Sequence, residues 1–317
     1  MKNTESRRVF LKSVAAASLA LYVQPHLMGM NSLKSINDNY HEGIYRFKLG
    51  EFDCICINDG GFKYPPAQFF KNVEKEQLDA VLEEHKITTD KIYTPYTHLI
   101  VDTGKHKVLV DMGAGSKLPG NGELPKRMKL AGIEPAEIDN IFITHAHPDH
   151  VGGTLNGDGK PYYENAQYYI WKDEWEFWFS DIAIEKTNEF FVNVAREQLG
   201  PVKDKMILLD EESEILPGIS VISTPGHTPG HLVVSFSSEG KELFYVGDCV
   251  LHTIHLEHPD WLPIYDILPD KAADSKRKIF DLVSERKSLV IGQHFTPFPS
   301  LGYVNESETG WEWIQES

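Results

Sequence analysis

Cysteine is scarce in this chain: three residues of 317, at positions 54, 56 and 249. Three thiols make no disulfide framework, even outside the reducing cytoplasm. Cys54 and Cys56 stand two apart in the alternating stretch Phe52–Ile57, so they share one face of a strand and pack into the core. Long apolar runs are missing too, and no segment reaches the length of a bilayer-spanning helix. Positive charge is in deficit, with 31 Lys and Arg against 47 Asp and Glu and a formal net charge of −16. The first 30 residues carry Lys2, Arg7, Arg8 and Lys12 against Glu5, which leaves about −19 on the remainder. Such an acidic surface repels phosphate backbones and anionic headgroups, so no nucleic acid and no membrane are expected as partners after processing.

The first residues have a pattern of their own. Ser6-Arg7-Arg8-Val9-Phe10-Leu11-Lys12 precedes a mildly apolar, alanine-rich stretch from Ser13 to Val23. This is the form of a twin-arginine export signal, which is read by a machinery that moves folded proteins. Residues 1–30 are therefore expected to be signal and linker, with cleavage near Ser18-Leu19-Ala20 or as late as about Ser32. The mature protein is expected in the periplasm or outside the cell. No cysteine lies near the cleavage region, which argues against a lipid anchor. The ligands described next come from both halves of the chain, so residues 44–317 are expected to form a single catalytic domain.

The densest chemistry is in Thr144-His145-Ala146-His147-Pro148-Asp149-His150, directly after the apolar run Ile141-Phe142-Ile143. Imidazole and carboxylate together suit zinc and its first-row neighbours, and the lack of thiolate argues against a closed structural zinc site. Two histidines at i and i+2 leaving a strand can aim at one ion, while Asp149 and His150, turned by Pro148, can aim at a second. A second ion needs more ligands. His227 in Thr224-Pro225-Gly226-His227, Asp248 in Tyr245-Val246-Gly247-Asp248 and His294 in Ile291-Gly292-Gln293-His294 each follow a short apolar stretch. One such histidine alone equally suits a core hydrogen bond, but the set together calls for a metal site.

These motifs resemble the metallo-β-lactamase superfamily, and within it the binuclear hydrolases with H-x-H-x-D-H followed by H, D and H. The resemblance implies a four-layer αβ/βα sandwich of the α/β class over roughly Ile44 to Trp313. It also implies two zinc ions, or other first-row divalent metals. His145, His147 and His227 would hold one ion, Asp149, His150 and His294 the other, and Asp248 would bridge them. Asp248 and Asp149 are the expected catalytic carboxylates, the second passing a proton to the leaving group. His231, four residues beyond His227, is expected to support the site from behind rather than ligate.

Among the branches of that superfamily, exported β-lactamases lack a bridging aspartate and flavodiiron proteins carry a carboxylate where His147 stands. Glyoxalase II continues into a basic helical domain, whereas Gly310–Ser317 is acidic. Leu256–Trp261 and His294–Val304 look like the N-acyl-homoserine lactonases and methyl-parathion-hydrolase-like enzymes. The expected function is therefore opening of N-acyl-homoserine lactone rings, a quorum-quenching reaction, on a small neutral ester or lactone. The alternatives are phosphotriester hydrolysis, then β-lactam hydrolysis or a persulfide dioxygenase with one iron; a binding protein without catalysis and a homodimer stay open. One departure stands out: several lactonases place tyrosine three residues after the bridging aspartate, and here Leu251 is there, with His252 as a candidate substitute.

Periodicity places a hairpin at Ile44–Leu49 and Phe52–Ile57, ended by Asp59-Gly60-Gly61. Strands follow at 97–102 and 107–111, helices near 74–85 and 123–131, and a strand at 140–143 that delivers the histidine loop. Asp111-Met112-Gly113-Ala114-Gly115 is too short for a phosphate loop and is expected to support the site from behind. Strands at 219–223, 232–236, 243–246 and 289–291 and a helix at 270–286 make up the second half. Between Gly152 and Ser220 the pattern is least regular. Trp171, Trp175, Trp178 and Phe179 recur there at helical spacing, either as core or as a capping wall over the metals within 171–199. Cys249 is open between core packing and a place beside the metals.

Overall fold

The computed structural model describes residues 40–88 and 90–316. The expected export signal and its expected cleavage region lie outside them. Up to His41 the described part is the short strand Tyr40–His41, and Glu42–Ser317 forms one compact unit.

Within that unit one sheet takes its strands in sequence order: Ile44–Leu49, Phe52–Tyr64, Ile92–Asp102, Lys107–Val110, Asn140–Ile143, Gln167–Trp171 and Met206–Leu209. The first four pair antiparallel and the rest parallel. The second sheet has seven strands, again in sequence order: Glu214–Leu216, Ile219–Ser223, Leu232–Ser238, Lys241–Tyr245, Leu289–Ile291, Leu301–Glu306 and Trp311–Gln315. Its one parallel pair joins Lys241–Tyr245 to Leu289–Ile291, and the helix Pro269–Arg286 makes the crossover.

Three apolar clusters stack these elements into four layers. Val101, Val110, Phe142 and Tyr169 of the first sheet interlock with Val221, Val234, Phe236 and Tyr245 of the second. Each such buried side chain contributes roughly 1.5–3 kcal/mol. Outside the first sheet, Ile100, Leu109 and Ile141 pack on Leu124, Met128, Trp178 and Val192 from the helices Leu124–Leu130, Lys172–Trp178 and Glu189–Leu199. Outside the second, Ile279, Phe280 and Val283 of Pro269–Arg286 cover Phe244 and Val290. The fold is thus the αβ/βα sandwich. Among the described residues no helix is long and apolar enough to cross a membrane.

Several expectations change. Asp59-Gly60-Gly61 does not end the second strand, which runs on to Tyr64 through a register shift between Asn58 and Gly61. Gly60 adopts φ +135°, which L side chains rarely reach, so the glycine pair makes a bulge instead of a stop. The partner strand accordingly starts at Ile92, with Pro95 opposite Gly61 at the irregularity, where its missing N–H costs no regular ladder bond. Trp171 ends a buried strand, Gln167–Trp171, so the aromatic stripe does not lie on one helix. Trp178 is core, while Phe179 is 38% exposed and stacks on Trp175.

Candidate metal centre

Every group in the centre leaves the carboxyl end of a strand, where open α/β sheets place their sites. Asn140–Ile143 leads into Thr144–His150, Ile219–Ser223 into the turn with His227, Lys241–Tyr245 into Asp248, and Leu289–Ile291 into His294. The seven residues expected as ligands come together in two groups. His145, His147, His227 and Asp248 present ligand atoms within 4.8 Å of one another, and so do Asp149, His150 and His294.

Asp248 lies between them. Its Oδ2 is 3.3 Å from His227 Nε2 and 3.8 Å from His145 Nε2, while Oδ1 is 3.3 Å from His150 Nε2 and 3.2 Å from His294 Nε2. Asp149 reaches the second group through Oδ2, 3.5 Å from His294 Nε2.

The surrounding hydrogen bonds fix the imidazole tautomers. Asp111 accepts from His150 Nδ1 at 2.7 Å, from Thr144 Oγ1 at 2.8 Å and from the Thr144 N–H at 2.8 Å. Because the Thr144 hydroxyl donates to Asp111, it accepts from His145 Nδ1 at 3.1 Å. Asp266 accepts from His227 Nδ1 at 3.1 Å, and the Pro95 carbonyl from His294 Nδ1 at 3.1 Å. Four rings thus turn an Nε2 lone pair toward Asp248, as metal ligation needs. The Gln293 amide nitrogen, 3.0 Å from His150 Nε2, donates to one of them. His145 Nε2 and Asp248 Oδ1 are buried without any hydrogen-bond partner, an arrangement costly for a protein alone and suited to a cation.

Electrostatics point the same way. Burial holds His145 and His147 well below the usual imidazole range, so both are neutral donors. Burial also opposes charge on His150, but Asp248, Asp111 and Asp149 outweigh it and raise its pKa, so that in the metal-free site a proton competes for the Nε2 lone pair that a metal ion would take. Burial would raise Asp248 as well, and His294 and His150 instead hold it well below the carboxylate range. The carboxylates therefore draw positive charge into the space between the rings.

His231 is not in either group. Its Nε2 accepts the Asp248 N–H at 3.0 Å and its Nδ1 donates to Thr224 Oγ1 at 2.8 Å, so it supports the bridge from behind. Cys249 packs with Phe244, Val246 and Val290 in the core and belongs to neither ligand group. His252 is no substitute for the missing tyrosine: it is buried edge-on against Phe69 and Phe70, with ring centroids 6.5 and 6.1 Å away.

The metal-facing pocket is lined by Tyr64, Phe69, Phe191, Leu251 and Tyr265 above Asp149, Asp248 and His294. An apolar cleft of about 190 Å³ continues from it past Phe62, Tyr96, Leu118 and Pro119. A more polar one of about 320 Å³ passes Lys186, Asn188 and Asp266. Of the segment 171–199, the pocket is lined not by the tryptophans but by Phe191, whose ring is 4.9 Å from that of His147.

Sequence reading missed Asp266, Glu174 and Tyr265. Asp111 follows an apolar strand just as Asp248 does, and that signal was available for a direct partner of His150. It stands at φ +57°, a turn that swings its carboxylate back onto Thr144 and His150. Asp266 and Tyr265 lie in an irregular loop with no periodic signal.

The Metallo-beta-lactamase superfamily model matches residues 94–294, more than half of the chain. An N-acyl homoserine lactonase of Bacillus thuringiensis is 26% identical over 169 residues, 53% of this chain and 60% of that protein. The match thus spans about 60% of the length of such curated relatives. Among solved structures, AidC, a dizinc quorum-quenching lactonase in complex with a product N-hexanoyl-L-homoserine, superposes with a TM-score of 0.81 at 29% identity, over 87% of this chain and 98% of that one. The hydrolase AbOPH superposes with a TM-score of 0.80 at 27% identity, over 88% and 99%.

Proposed function

The chain belongs to the metallo-β-lactamase superfamily, and from that premise we propose that it is a two-metal hydrolase that opens the ring of N-acyl-homoserine lactones. The observation that carries this reading is Asp248, set between the two ligand groups and lining a pocket whose other wall is Tyr64, Phe69, Phe191, Leu251 and Tyr265. Homology to N-acyl homoserine lactonases and the likeness to AidC support the substrate class.

In this reading His145, His147 and His227 hold one zinc ion, Asp149, His150 and His294 the other, and Asp248 contributes one oxygen to each group. Two zinc ions so held would supply an ionised water at neutral pH and polarise an ester carbonyl. Asp149 borders the pocket and is the group placed to hold a proton for the departing ring oxygen. Tyr64, Phe69, Phe191, Leu251 and Tyr265 exclude bulk water and receive an apolar acyl chain. Among the described residues, neither the pocket nor its apolar branch is lined by a Lys or Arg that could hold a substrate carboxylate, which suits a neutral substrate.

Leu251 favours a second reading. It puts an apolar side chain where several lactonases carry tyrosine, so the phenols of this pocket come from Tyr64 and Tyr265 instead, and neutral phosphotriesters are the secondary substrate class. Purified zinc-loaded protein assayed against lactones of graded acyl length, a neutral phosphotriester and a β-lactam tests both. Efficient turnover of the β-lactam with long-chain lactones untouched refutes the lactonase reading and leaves the metal assignment standing. The Ser6–Lys12 pattern supports a further part of the proposal, export of the folded enzyme to the periplasm by the twin-arginine route.

A further inference from the structure

Glu174, in the helix Lys172–Trp178, is fully buried and reaches both loops of the first ligand group. Its Oε1 accepts from the Ala146 N–H at 2.9 Å and from Trp178 Nε1 at 2.6 Å, and its Oε2 accepts from the Gly230 N–H at 3.0 Å. Ala146 lies between His145 and His147. Gly230 lies between His227 and His231, and His231 in turn accepts the Asp248 N–H. Gly230 has no room for a side chain, since a Cβ there would stand 2.1 Å from the Glu174 backbone nitrogen. Trp178 also sets its edge against His147, with ring centroids 5.5 Å apart at 75°. The second group is held by other means, His150 by Asp111 and His294 by the Pro95 carbonyl.

We infer that Glu174 is a positioning residue that sets the metal affinity of the first group and not of the second. The inference rests on the two-metal reading. A single carboxylate fixes the spacing between the loop that carries His145 and His147 and the loop that carries His227. Both of its oxygens are needed, because the two loops donate to different ones. In Glu174→Gln the amide nitrogen replaces one oxygen and faces a backbone N–H, so one loop moves away while the side-chain volume is kept.

Zinc release from wild type and Glu174→Gln is followed against rising chelator, with His227→Ala marking the step that belongs to the first group. The same titration on cobalt-substituted protein follows each step by its visible spectrum. In Glu174→Gln the first-group ion is expected to leave at roughly tenfold lower chelator or less, as for other groups that orient ligands. The second-group ion is expected to leave at the wild-type concentration. Trp178→Phe, which removes one donor to the carboxylate, shifts the same step by less and decides the matter if Glu174→Gln does not fold. A parallel shift of both steps, or of neither, overturns the inference while the two-metal reading survives. Wild-type protein that binds fewer than two equivalents overturns both.

Discussion

Replacement of Asp248 by asparagine tests the two-metal reading where it is most sensitive. The carboxylate turns Oδ2 to His145 and His227 and Oδ1 to His150, and His294 Nε2 lies within 3.3 Å of both oxygens. Asparagine keeps the shape but offers one oxygen and one NH₂, and the nitrogen has no lone pair to give. One group therefore loses a ligand, and the negative charge shared between two dications is gone. A unit charge pair about 4 Å apart at an effective dielectric constant of about 20 is worth about 4 kcal/mol. If only half to all of that survives relaxation, one ion is held about 30- to 700-fold more weakly. After dialysis against metal-free buffer, elemental analysis is expected to find two zinc equivalents on wild type and one on Asp248→Asn. Turnover with excess zinc is expected to fall by two orders of magnitude or more, with the loss in kcat rather than in KM. Two tightly held equivalents together with near-wild-type kcat would refute the reasoning, because the bridge would then contribute neither binding nor chemistry.

Phe191→Ala removes the half-buried ring that borders the pocket beside His147, and should raise KM for decanoyl-homoserine lactone by about tenfold, worth about 1.4 kcal/mol, while leaving the butanoyl substrate nearly unchanged. Equal effects on both would place the acyl chain elsewhere. His98 is fully buried with neither ring nitrogen hydrogen-bonded, and burial first, then His150, lowers its pKa from 6.5 to about 3. The folded state therefore resists a proton that the unfolded chain accepts, so this contribution to stability is whole above pH 6.5 and is lost as pH falls toward about 3. In urea melts of metal-free protein, wild type should lose about 2 kcal/mol more than His98→Leu between pH 7 and pH 5; equal losses would show that His98 is not the group responsible. Changing Arg7 and Arg8 both to lysine should leave active enzyme in the cytoplasm, and unchanged periplasmic activity would refute the export proposal.

The seven residues that gather in the two groups were legible in the sequence because they fall in loops that follow short apolar strands, where such sheets put their sites, although the choice of His227 over His231 needed the resemblance. The hairpin, the 140–143 strand and the long helix near 270–286 were legible for the same reason, as clean period-two or helical patterns. The assignment of ligands to two groups needed the resemblance, since spacing along the chain carries no distance between His147 and His227. Only tertiary structure decided the rest. The Gly60-Gly61 bulge looks like a turn until a partner strand runs past it. Gln167–Trp171 is buried on both faces, so its apolar run has no alternation to distinguish it from a helix. Glu174 and Asp266 serve the centre from segments with no motif, because what selects them is a backbone N–H or a ring nitrogen contributed by a distant loop. A buried carboxylate is defined by the donors that close around it, and those donors exist as a set only once the two sheets have packed.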